Sequence, residues 1–124
     1  MAGKCALMNI PDRKKQEAIK GAFYMEQLAK ITPRTKAIMA VHYSCHPCDM
    51  DAIMAIAKKY DLKVIEDVSH AQGGLYKGRR LGTIGDVGAM SLMTGKSFAI
   101  GEGGMLVTND RRIYDYALSV GFAK

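Results

Sequence analysis

Two apolar runs constrain this chain more than any other feature. Lys36-Ala-Ile-Met-Ala-Val-His42 and Leu62-Lys-Val-Ile-Glu66 are of strand length and lack the polar alternation of a half-solvated strand. Such runs suit strands buried on both faces, as in parallel sheets flanked by helices. Between them Asp49 is placed to cap a helix reaching about Tyr60, with Met50, Ile53, Met54 and Ala57 spaced along one side. A third strand is expected over Val87–Met93 and a fourth over Met105–Thr108, and Asp110 caps a last helix from Arg111 to Val120. Upstream, residues 1–11 read as a loose lead-in, Asp12 opens a helix through about Lys30, and Thr32-Pro33-Arg34-Thr35 is a turn. The alternation predicts an α/β fold, a mostly parallel sheet with helices on both faces. The link between the third and fourth strands is about a dozen residues without helical pattern, which suits an antiparallel return or an irregular crossover.

Composition bounds the functional classes. At 124 residues the chain is expected to be a single domain, and 48% apolar residues suffice for a core. No window approaches the ~18 consecutive apolar residues of a membrane span, and the first residues are too weakly apolar for a signal peptide. Three cysteines, an odd number, fit a reducing compartment better than a disulfide framework; a cytoplasmic protein is expected. The net charge of +6 is dispersed over Arg13-Lys14-Lys15, Arg79-Arg80, Arg111-Arg112 and scattered lysines. It reads first as a solvated basic surface and next as a site for a small anion. Nucleic acid comes last, because no basic run is interleaved with aromatics.

The chemistry concentrates between Asp67 and Gly104. Asp67 ends one expected strand, Ser91 lies within the next, and Thr94-Gly95-Lys96-Ser97 is a polar turn with a single lysine, followed by Gly101, Gly103 and Gly104. Ligands of open parallel sheets sit beyond the carboxyl ends of the strands, a rule that gathers His42, Asp67, His70 and the Ser91–Lys96 turn on one edge. A lone strand-end aspartate is usually a cap or a solvated loop residue. Asp67, Ser91 and Lys96 together suit pyridoxal 5'-phosphate: an amine for its aldehyde, a carboxylate for its pyridine nitrogen, and a hydroxyl with nearby N–H groups for its phosphate. His70 could lie against the ring or hydrogen-bond its phenolic oxygen. Two other patterns are weaker. Thr94-Gly95-Lys96-Ser97 imitates the end of a phosphate-binding loop, but position 90 is Met where that motif needs Gly. His42, Cys45, His46 and Cys48 lie close enough for a zinc site, with Pro47 inside the C-x-x-C and no second pair.

The stretch V-I-E-D-V-S-H-A-Q-G-G-L-Y-K-G-R-R-L-G-T-I-G-D-V-G-A-M-S-L-M-T-G-K-S-F-A-I-G-E-G-G-M-L-V-T-N-D resembles the DegT/StrS-type sugar and aminocyclitol aminotransferases. T-P-R-T-K-A-I-M-A-V-H and H-P-C-D-M-D-A-I-M are similar to that family too, so the resemblance covers roughly residues 28–124, while residues 1–25 diverge. It implies a fold-type I, pyridoxal phosphate-dependent enzyme. Lys96 would be the cofactor lysine and catalytic residue, Asp67 the pyridine-nitrogen partner, Ser91 a phosphate hydroxyl and His70 a residue near the cofactor. Lysine at 96 also implies an aminotransferase rather than one of the family's dehydratases. The implied partners are a keto sugar or keto cyclitol and an amino donor, glutamate or glutamine. Family members run to several hundred residues, so the chain resembles a central piece of a large domain. Two functions therefore stand: an aminotransferase, or a truncated, non-catalytic large-domain module that folds, self-associates and binds cofactor weakly. A cut sheet leaves edges and apolar faces, so a homo-oligomer is expected.

Overall fold

In the computed structural model, residues 26, 28–44 and 46–121 are described. The expected lead-in, most of the helix over 12–30, and Cys45 lie outside them. The chain divides into two compact units, Met1–Thr35 and Lys36–Lys124. In the first, Lys30 pairs with Glu26 at 2.8 Å, and the expected turn is closed by a 2.9 Å bond from the Thr35 N–H to the Thr32 carbonyl.

The second unit carries β1 (Ala37–Val41), α1 (Met50–Lys59), β2 (Lys63–Asp67), β3 (Leu75–Tyr76), β4 (Arg79–Arg80), β5 (Val87–Ser91), β6 (Gly104–Val107) and α2 (Arg111–Gly121). Its main sheet has the order β1-β2-β5-β6. The first three strands run parallel and β6 returns antiparallel beside β5, with Ser91 opposite Gly104. Of the two links open on sequence grounds, the antiparallel one forms.

Helix α1 forms where its caps are. Asp49 accepts the Ala52 N–H at 3.3 Å, Asp51 stands in the first turn, and Lys58 and Lys59 stand in the last, each sign at the favourable end of the helix dipole. The helix stops because Asp61 takes φ +52°, letting the Leu62 N–H reach back to the Ala57 carbonyl at 2.8 Å. That is a glycine-type C-terminal motif made with aspartate. Met50 and Ala57 are buried, and Ile53 and Met54 half-buried. Ala40, Val64, Val68, Leu81, Ile84 and Leu92 add to the same core.

One core position leaves no room for a side chain. Strand β5 passes so close to Gly82 that a Cβ on Gly88 would stand 2.2 Å from the Gly82 carbonyl oxygen. The apolar runs predict cover on both sheet faces. Among the described residues, cover lies on the face of Ala40 and Val64, while Met39 and Leu106 on the other face are 61% and 46% exposed. A second departure is the β3–β4 hairpin, in a stretch where the sequence predicts no strand. Its two-residue turn, Lys77-Gly78, has φ +50° and +81°, the positive angles that match the twist of a tight hairpin.

Candidate active site

Alternation along β2 separates two neighbouring carboxylates. Glu66 points into the core and is fully buried. Its Oε1 accepts the N–H groups of Ile84 and Gly85, both at 2.7 Å. Its Oε2 accepts Gly82 N–H at 2.8 Å and His42 Nε2–H at 3.1 Å. Burial alone would raise this carboxyl; the bonds from His42, Gly85, Gly82 and Ile84 overcome that and lower it to about 2. Glu66 thus anchors the loop that leads into β5.

His42, equally buried, receives the Cys48 N–H on Nδ1 at 3.0 Å. Burial, the largest influence, disfavours a charge on the ring, although Cys48 and Glu66 favour one. The Cys48 N–H occupies Nδ1, where a second proton would have to sit, so we take the ring as neutral with its hydrogen on Nε2. Both nitrogens are engaged, which removes His42 from the zinc pattern and from the sheet-edge site in which the sequence groups it. Its service is to hold Glu66.

Asp67 points to the opposite face, at the carboxyl end of β2. Its Oδ1 accepts the Ser69 N–H at 2.9 Å, an aspartate turn that bends the chain out of the strand. Burial raises its carboxyl, but hydrogen bonds from Ser69 and the charge of Lys96 prevail and hold it below its ordinary value. Asp67 is therefore an anion at neutral pH.

Next to it, Ser91 ends β5. The Ser91 N–H donates to Ser69 Oγ at 2.9 Å, stitching the two strand ends together, and Ser91 Oγ accepts Met93 N–H at 3.3 Å. The chain then turns through Gly95, at φ +93°, and the Lys96 N–H closes on the Met93 carbonyl at 3.1 Å. Lys96 Nζ lies 3.1 Å from His70 Nε2, and the His70 ring meets Tyr43 with centroids 5.1 Å apart. Since an ammonium only donates, His70 accepts on Nε2 and carries its hydrogen on Nδ1.

All four residues singled out in the sequence, Asp67, His70, Ser91 and Lys96, stand at one sheet edge. The structure adds Ser69, Tyr43 and Gln72. Gln72 bonds the main chain on either side of the lysine turn, at Ser91 and Phe98. Ser69 and Gln72 lie inside the motif-bearing stretch, but nothing in their spacing marked them. Amine, imidazole, carboxylate and hydroxyl on two adjacent strand ends form a donor set that fits pyridoxal phosphate. Among the described residues no cluster suited to a metal ion occurs, and no helix is long and apolar enough to cross a membrane.

The model of the DegT/DnrJ/EryC1/StrS aminotransferase family matches residues 25–121, and the chain belongs to that family. The chain is 52% identical over 89 residues to GDP-perosamine synthase of Escherichia coli O157:H7, which covers 72% of this chain and 24% of that protein. It is 49% identical over 87 residues to the spore coat polysaccharide biosynthesis protein SpsC of Bacillus subtilis, covering 70% and 22%. Among solved structures, the aminotransferase from Psychrobacter cryohalolentis superposes with a TM-score of 0.70 at 47% identity, over 73% of this chain and 23% of that one. The chain thus spans about a quarter of the length of the curated relatives it matches.

Proposed function

We propose that this chain is the lysine-bearing core of an aminotransferase that moves an amino group from glutamate or glutamine to a keto sugar. A keto cyclitol is the neighbouring substrate class that the sequence motifs imply. The observation that carries the reading is the convergence of Lys96 Nζ, His70 and the anionic Asp67 beside Ser91 at the carboxyl edge of β2 and β5. Pyridoxal phosphate, when bound, supplies an aldehyde and an electron-withdrawing ring.

Lys96 would bring the amine for that aldehyde and, during turnover, a base that carries a proton at Nζ. Asp67 holds a negative charge against the pyridine nitrogen and keeps it protonated. Ser91 Oγ serves the phosphate. His70 fixes Lys96 Nζ from one side, and Tyr43 fixes His70. The likeness to a GDP-sugar enzyme supports the keto sugar.

A second reading is a module that folds, self-associates and holds the cofactor weakly. The apolar face around Met39 and Leu106, open in this chain, favours it.

Titration of the chain with pyridoxal phosphate, followed by borohydride trapping and peptide mapping, separates the readings. The expected result is one visible absorption band and one trapped adduct, on Lys96, both absent in Lys96→Ala. A band that survives in Lys96→Ala would sink the assignment. No band in the wild-type chain would favour the module.

A further inference from the structure

Gln72 is a polar side chain of this edge to which the proposed reaction gives no task. Three bonds fix its amide in one orientation. Nε2 donates to the Ser91 carbonyl at 2.7 Å and to the Phe98 carbonyl at 3.3 Å, and Oε1 accepts the Phe98 N–H at 2.6 Å. Reversing the amide would set N–H against N–H and oxygen against two carbonyls, so the partners dictate which end is which.

The two main-chain positions held by this one side chain bracket Lys96. Inside the bracket Leu92 and Thr94 bond the returning segment at Ile100, Gly101 and Gly103, whereas over residues 95–97 the one backbone bond found is Lys96 N–H to the Met93 carbonyl at 3.1 Å. Gly95, next to the lysine, has φ +93°, a residue that many other backbone conformations suit equally well. A turn of this kind does not hold a lysine at one place by itself. Gln72 stands two residues beyond His70, whose Nε2 contacts the lysine amine. The strand-end loop therefore grips Lys96 twice, at the side chain through His70 and at the backbone through Gln72.

We infer that Gln72 is a positioning residue for Lys96. Its amide clamps the ends of the lysine turn and thereby sets where Nζ stands relative to Asp67. The inference rests on the proposed role of Lys96, and its test is built so that the two fail separately.

Wild type, Gln72→Ala and Gln72→Glu are compared by amide hydrogen exchange and by trapping of pyridoxal phosphate. The amides to follow are those of Lys96 and Ile100, which Gln72 does not touch, with Val64 in β2 as the internal reference. Losing three hydrogen bonds of modest net strength predicts about tenfold faster exchange at Lys96 and Ile100 in Gln72→Ala, Val64 unchanged, and about tenfold weaker adduct formation at Lys96. Gln72→Glu keeps shape and acceptor but aims a carboxylate at two carbonyls. It is expected to match the alanine variant at pH 7 and to recover slow exchange below about pH 4, where the protonated carboxyl regains a donor. A side chain that merely fills space would leave Gln72→Glu like wild type at both pH values, which would overturn the inference.

Unchanged exchange in Gln72→Ala would overturn it too, as would an unchanged adduct in a loosened turn. If the turn loosens while the wild-type chain traps no adduct at Lys96, the clamp stands and the cofactor reading falls. If the wild-type chain traps Lys96 and both variants do so equally, the cofactor reading stands and the clamp falls.

Discussion

Replacing Glu66 by glutamine tests the account of the core most directly, because it changes one atom and keeps the shape. The carboxylate accepts four hydrogen bonds, two on each oxygen, in a site closed to water. A glutamine has one acceptor oxygen and turns an NH2 group toward the other two donors. If the oxygen stays with Ile84 and Gly85, the amide nitrogen confronts Gly82 N–H and His42 Nε2–H. Moving the imidazole hydrogen to Nδ1 would relieve one clash but create another with Cys48 N–H. Either amide orientation therefore forfeits two charge-assisted bonds, each worth about 1.5–3 kcal/mol, and the expected loss is about 3–6 kcal/mol. Against a total stability on the order of 5–15 kcal/mol this is a large fraction. Urea unfolding followed by far-ultraviolet circular dichroism reads it: with a slope of about 1–1.5 kcal/mol per molar, the midpoint should fall by about 2–6 M. A shift under about 0.5 M at unchanged slope would refute the idea that four donors depend on this carboxylate.

Three further outcomes are expected. Glu66 is lowered on folding from 4.5 to about 2, so its contribution is complete above about pH 4.5 and is lost as pH falls toward 2; urea midpoints of the wild type should drop across that window, and a Glu66→Gln variant whose midpoint drops equally steeply would assign the loss elsewhere. Gly88→Ala drives a methyl into the Gly82 carbonyl and should destabilise by about 3 kcal/mol or more, since backbone must move rather than a flexible side chain; a thermal midpoint within about 2 °C of wild type contradicts this. The open face of Met39 and Leu106 should be covered by a second copy of the chain, most simply in a two-fold dimer. Sedimentation equilibrium at low micromolar concentration checks this, and a 13.5 kDa monomer that unfolds cooperatively would refute it.

Much of this architecture was legible in the residues, and the exceptions have physical causes. Lys36–His42 and Leu62–Glu66 announce strands because nothing in them favours another conformation, and they appear as Ala37–Val41 and Lys63–Asp67. The gathering of Asp67, Ser91 and Lys96 follows from the rule that a parallel sheet delivers its strand ends to one edge. The covered face was the harder inference, because apolar strands state that cover is needed and not which elements supply it. Glu66 escaped notice because a charged residue at a strand end ordinarily signals solvent. The signal was its parity with Val64 and Val68, which places it in the core. The partners that make it tolerable, the N–H groups of Gly82, Ile84 and Gly85, belong to main chain and carry no residue-type signature. Ser69 and Gln72 were hidden for a like reason, since each binds backbone that a sequence motif cannot display.

The antiparallel return of β6 has a consequence for how this segment tolerates insertion and deletion. The chain leaves β5 at Ser91 and comes back at Gly104, one strand spacing away, so the lysine turn is a closed excursion and not a passage between distant points. Its first half is gauged by a single side chain. The carbonyls of Ser91 and Phe98 both contact Gln72 Nε2, which keeps them within about 6 Å of each other, whereas the seven-residue path between them could extend to about 25 Å. One residue added or removed there would rotate Lys96 away from His70 while leaving both ends of the gauge in place. Beyond Phe98 the excursion runs through exposed residues to Gly101, Gly103 and the start of β6. There Ile100, Gly101 and Gly103 bond back to Leu92 and Thr94, and added length has room to loop outward between those bonds. Length variation should therefore be lethal to the lysine's placement before Phe98 and mild after it, a polarity within a dozen residues that follows from where one glutamine side chain happens to close.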